Sequence, residues 1–129
     1  MNISQVAQAS GLSARMIRHY ESIELLPAPT RSESGYRQYS QRDLHNLRFI
    51  HSARQLGFSM EQVAQLLALW QDRSRSSSEV KLLAQQHLQE LKQKIVDLQA
   101  MRDTLAELAR SCQGDDRPDC PIINSLATP

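Results

Sequence analysis

From Glu79 to Arg110 the chain runs without a single glycine or proline, and no other stretch limits the possible fold as much. Such a run permits one helix of roughly 48 Å at 1.5 Å per residue. Taken in alternate steps of four and three, Ala84, Leu88, Leu91, Ile95, Leu98, Arg102, Leu105 and Ala109 are apolar everywhere but at Arg102. That is the mark of a seam with a period near 3.5 residues. The preceding segment of about seventy residues is too small to bury so long a stripe. A second copy of the same helix covers it most simply, so the pattern predicts a homodimer.

The rest of the chain organises around that helix. Strand-period alternation is nearly absent, which makes the fold class mainly α. Ser4 is read as the cap of a first helix with Val6 and Ala7 inward, and Ser13 as the cap of a second that runs to Tyr20 or Glu21. Pro27 and Pro29 then forbid helix. In residues 30–39, Ser34-Gly35 between short flanks predicts a hairpin, or wing. Ser40 starts a third helix carrying Leu44, Leu47 and Ile50, which ends near Gly57. Ser59 and Gln62 have capping-box spacing and start a fourth. Val63, Leu66, Leu67 and Trp70 would be its core face. The expected boundaries are a helix-and-wing domain over 1–71, a polar hinge over 72–78, a dimerisation helix over 79–110, and a loop and tail over 111–129; the next features give the first domain a DNA-binding role and the loop a metal-binding one.

Charge is uneven along the sequence. Residues 1–59 hold seven arginines against four acidic residues, a net of +3, while residues 112–129 sum to −2. The positive excess coincides with two short helices in helix-turn-helix spacing, with small Ala7 at their crossing and Gly11 in the turn. The second helix, capped by Ser13, offers Arg15, Arg18, His19 and Tyr20, and the wing offers Arg31, Tyr36 and Arg37. Arginine clamps phosphate or reads guanine edges, and tyrosine donates to phosphate. Helix pair, wing and basic excess together point to double-stranded DNA. The alternative is an adaptor that uses only the long helix. No nucleophile–base pair and no phosphate-binding glycine loop is present, which argues against an enzyme.

Cys112 and Cys120 are the only cysteines and flank a short acidic loop with no histidine nearby. No leader or membrane span is read, so a cytoplasmic setting with reduced thiols is expected. Two thiolates suit a soft ion of low coordination better than zinc, which takes four ligands. A thiol–disulfide sensor is the alternative. Asp115, Asp116 and Asp119 are poor ligands for a soft ion and are read as solvated. His19, His45, His51 and His87 share no ligand spacing.

Ile17-Arg18-His19-Tyr20-Glu21, Leu25-Leu26-Pro27 and Arg31-x-x-x-Gly35-Tyr36-Arg37-x-Tyr39 together resemble the MerR family of transcription regulators. The match continues through Ala53-Arg54-Gln55-Leu56-Gly57-Phe58. With Cys112-x7-Cys120-Pro121-Ile122-Ile123 it is similar to the copper-responsive, CueR-like branch over nearly the full length. The resemblance implies a winged helix-turn-helix activator that binds promoter DNA as a homodimer and works with RNA polymerase by distorting the duplex. It implies one Cu(I), Ag(I) or Au(I) per subunit held by Cys112 and Cys120 in linear geometry, at a copper efflux or detoxification promoter. It also implies a selectivity role for Ser77, where divalent-ion sensors such as those for zinc carry a third thiolate. Two positions depart from the pattern. His19 replaces a common Phe, and Glu24 replaces a common Gly, so the turn before Leu25 is expected to change shape.

Overall fold

The computed structural model describes residues 1–27, 29–72 and 74–128. It is mainly helical and divides into two units, Met1–Leu83 and Ala84–Pro129, which are described separately.

The first unit opens with α1 (Ile3–Ser10) and α2 (Ala14–Ser22). The cap of α1 is Asn2 and not Ser4. The Asn2 side chain accepts from the Gln5 amide at 2.8 Å and the Gln5 side chain accepts from the Asn2 amide at 2.9 Å, a reciprocal box that starts the helix early. Ser13 caps α2, accepting from Met16 N at 3.1 Å. Between them Gly11 sits at φ +78°, and its amide donates to Ala7 O at 3.0 Å. An added Cβ would come to 3.4 Å from the His51 ring, an ordinary contact, so it is the left-handed conformation that favours glycine.

After α2, the Tyr20 carbonyl accepts from the amides of Leu25 (2.9 Å) and Leu26 (3.3 Å). This turn contains Glu24 at φ +62°, the one non-glycine with positive φ among the described residues. Position 24 takes up the left-handed conformation that glycine adopts most readily. The turn keeps a left-handed residue, and glutamate bears a cost of about 1–2 kcal/mol to occupy it.

The wing consists of β1 (Thr30–Arg31) and β2 (Arg37–Gln38), antiparallel with Thr30 opposite Gln38 and Arg31 opposite Arg37. Gly35 turns the tip at φ +85°. α3 (Gln41–Gln55) and α4 (Met60–Gln71) follow, opened by the boxes Ser40/Asp43 and Ser59/Gln62. The core gathers Val6, Ile17, Leu26, Tyr39, Leu44, Leu47, Ile50, Phe58, Val63 and Leu67, all buried. Trp70 is not among them. It remains 41% exposed and stacks on Phe49 with centroids 4.7 Å apart and planes 5° from parallel. It closes the last turn of α4, beyond the residues that α4 buries.

α5 covers Ser77–Ser111, 35 residues, so its first turn takes in the last two positions of the expected hinge; Arg73 lies outside the described residues. In the second unit Leu88, Ile95, Leu98 and Leu105 of the seam are exposed, together with Val96 and Met101. After a loop, α6 (Pro121–Ala127) ends the chain in what was read as an irregular tail. Pro121 at the first helical position was the signal for it.

Candidate nucleic-acid interface and thiol site

Arg15, Arg18 and His19 are exposed on α2, and Ser13 is exposed at its start. The wing presents Tyr36, 71% exposed at the tip, and Arg31, whose Nη1 donates to Gly35 O at 2.9 Å and so stiffens the hairpin. Tyr20 is a correction. Counted from sequence with the DNA-contacting side chains, it is only 2% exposed and packs in the core. It lies three residues after Ile17, so the two share the buried side of α2.

The two groups of exposed residues meet at a carboxylate that sequence reasoning passed over. Glu21, on α2, accepts from Arg37 Nε of the wing at 3.2 Å and from the Tyr39 hydroxyl in a short hydrogen bond. Its side chain is 9% exposed against 35% for Arg37. Burial, then the bond to Glu21 and its charge, push the Tyr39 phenol well above its usual range. Tyr39 is held at its backbone too, its amide donating to Met1 O at 2.7 Å. The recurrence of Glu21 and Tyr39 within the matching motifs was the available clue, but sequence spacing did not join them.

In the second unit, Cys112 follows α5 directly, its amide donating to Leu108 O at 3.2 Å. Cys120 occupies the cap position of α6. Gly114, at φ +65°, lies in the loop between them, and the two Sγ atoms are 3.4 Å apart. Both cysteines are free and half-buried. The Ile123 amide, then the Cys112 thiol and the Ile122 amide, hold the Cys120 thiol below its usual range, although its sulfur closes no capping hydrogen bond of ordinary geometry. Helix N-termini favour a thiolate in this way. Both thiols are free, with no bond joining the sulfurs. Cys112 and Cys120 would be the two sulfur ligands of a soft ion held between them. The donor set is soft and fits a thiophilic ion. Among the described residues, no group of three or more His, Cys, Asp or Glu converges on a common point. Asp115 is paired with Arg117 at 3.3 Å. Ser77 is the first residue of α5 and is exposed. Among the described residues, no helix is long and apolar enough to cross a membrane.

Known proteins match along the whole chain. Residues 1–70 match the MerR HTH family regulatory protein model, and residues 44–108 the model for MerR, DNA binding. A heavy metal-dependent transcription regulator of Rhizobium meliloti is 54% identical over 127 residues, 98% of this chain and 86% of the relative. The HTH-type transcriptional regulator CueR of Salmonella typhimurium is 46% identical over 127 residues, 98% and 92% of the two chains. The transcription regulator PbrR691 of Ralstonia metallidurans, crystallised in complex with lead(II), superposes with a TM-score of 0.81 at 32% identity, covering 98% of both chains. Helix pair, wing, long helix and terminal thiol pair thus agree with the sequence motifs, and the chain belongs to the MerR family of DNA-binding transcription regulators, which are not enzymes.

Proposed function

We propose that this protein is a cytoplasmic, Cu(I)-responsive transcriptional activator, with Ag(I) and Au(I) as ions of the same chemistry. The observation that carries the reading is the pair of free thiols Cys112 and Cys120, sulfurs 3.4 Å apart. Similarity to CueR and to a heavy metal-dependent regulator supports it. Cys112 and Cys120 would hold one ion per subunit. When bound, a monovalent ion neutralises one of the two thiolate charges and leaves the site at −1. Ser77 contributes by offering a hydroxyl where a third thiolate would favour a divalent ion.

Two copies would pair along Ala84, Leu88, Leu91, Ile95, Leu98 and Leu105, burying the stripe that one chain leaves exposed. The paired DNA-binding units would then meet half-sites of a palindromic promoter in successive major grooves. Ser13, Arg15, Arg18 and His19 would face the groove, and Arg31, Tyr36 and Arg37 the adjoining backbone. Cys112 lies at the end of α5 and Cys120 at the start of α6, so a change in sulfur separation alters how those helices are held. The dimer would stay on its promoter in both states and change the shape of the duplex, so that RNA polymerase engages it.

The test is titration of reduced protein with Cu(I), Ag(I) and Zn(II) in excess reductant, with in-vitro transcription as the readout. One Cu(I) per subunit and metal-stimulated transcription are expected, both lost in the Cys112→Ser, Cys120→Ser double variant. A double variant that still responds to copper would falsify the reading. Tight Zn(II) binding would transfer it to divalent ions. A response only to oxidant would identify a disulfide sensor, since a short sulfur–sulfur distance also favours bond closure.

A further inference from the structure

Arg37 is the wing residue through which the proposed DNA contact can be set geometrically in advance. Its guanidinium has one end turned inward, with Nε donating to Glu21 Oε2 at 3.2 Å. The side chain is 35% exposed, so the group is partly open to solvent while anchored at its base. A free arginine side chain loses about 2 kcal/mol of rotamer entropy when it is fixed. Here part of that loss is taken in folding, before DNA arrives.

Glu21 is itself held. Its other oxygen accepts from Tyr39, which is buried and tied by its backbone to Met1. Arg18 lies one turn before Glu21 on α2 and is exposed. The wing guanidinium of Arg37 is therefore anchored on a nearly buried carboxylate that belongs to the helix carrying Arg18.

We propose that Glu21 is a positioning residue for DNA binding, which orients Arg37 of the wing beside Arg18 of α2 so that both meet the same stretch of DNA backbone. The inference rests on the assignment of Arg37 as a DNA contact. It makes a prediction of unusual sign. Removing a negative charge next to a DNA-facing surface should, on Coulomb grounds alone, tighten binding. A positioning role requires Glu21→Gln to weaken it.

The test uses the full-length protein and a short duplex that the wild type selects from a random-sequence pool. Binding is followed by fluorescence anisotropy across a salt series. Arg37→Ala should weaken binding about tenfold and lower the salt slope by about one. Glu21→Gln should also weaken binding, by about fivefold, and the Glu21→Gln, Arg37→Ala double variant should bind no more weakly than Arg37→Ala alone. In an Arg37→Lys background, which keeps the charge but lacks the planar fork, Glu21→Gln should have no effect. Leu47→Ala, a core change outside the Glu21, Arg37 and Tyr39 group, controls for stability and should lower the melting temperature while leaving the affinity of the folded protein unchanged. If Arg37→Ala weakens binding but Glu21→Gln leaves it unchanged or tightens it, the positioning role is wrong. If Arg37→Ala has no effect, the underlying contact assignment has failed. Should Glu21→Gln fail to fold, loss of the Arg37→Ala effect in a Glu21→Asp background decides in favour of the role, and its persistence at full size decides against it.

Discussion

The two units of this chain solve the problem of apolar surface in opposite ways. In Met1–Leu83, four helices and the wing enclose Val6, Ile17, Leu47, Ile50 and Val63 completely. In Ala84–Pro129, Leu88, Ile95, Leu98 and Leu105 stay more than half exposed. Contiguous apolar surface of this kind marks an interface. One unit builds a closed core within its own chain and the other leaves its apolar stripe open, the division expected if the proposed dimer forms along that stripe.

Experiments can strain that contrast. The largest effect is expected from an Ile95→Asp, Leu98→Asp variant. Two buried charges at a seam should yield monomers by sedimentation and cut affinity for a palindromic duplex more than tenfold, since two linked sites bind far more tightly than one (about 10²-fold or more). A variant that remains dimeric would remove the assignment of the stripe. In the first unit, Leu47→Ala should cost about 2–5 kcal/mol by denaturant unfolding, and the loss should not depend on protein concentration. The seam variant's loss should depend on it, because association adds to the stability of the native state. Equal concentration dependence in both would mean that the two units are not independent in this way.

Tyr39 sharpens the comparison by pH. Burial and Glu21 favour its neutral form in the folded state, whereas an unfolded tyrosine releases its proton near pH 10. The contribution is therefore complete below about pH 10 and is lost as pH rises beyond it. Melting curves of Tyr39→Phe should be lower at neutral pH but flatter through the alkaline range; parallel wild-type and variant profiles would remove Tyr39 as the cause. The smallest change is expected at Glu24. Glycine accepts φ +62° without steric cost, so Glu24→Gly should raise stability by about 1 kcal/mol. A loss instead would mean that the Glu24 side chain offsets its strain through contacts of its own.

Much of the architecture could be read in advance because its signals are local. Caps at Ser13, Ser40 and Ser59, the turn at Ser34-Gly35 and the uninterrupted run from Glu79 each act within a few residues, and the elements formed where those signals stand. The misreadings have local causes as well. Ser4 lost the first cap to Asn2, which had the better partner in Gln5. α6 falls inside the loop and tail expected over 111–129, because Pro121 suits an irregular segment as well as a first helical turn. Of the candidate site, the cysteines and the exposed arginines were legible as residue types, but Glu21 was not, since its partners lie 16 and 18 residues away.

What the amino-acid order determined unaided was periodic: which stretches are helical, where they begin, and that a long apolar stripe exceeds what one small domain can cover. Tertiary structure alone decided that Tyr20 is core and Trp70 half-open, reversing their expected places. It also decided that two sulfurs eight positions apart lie 3.4 Å from each other, and that one carboxylate joins helix to wing. The reason is that periodicity reports only that a face is amphipathic. Which side chain on that face is finally covered depends on elements distant in sequence, and only the assembled fold brings those together.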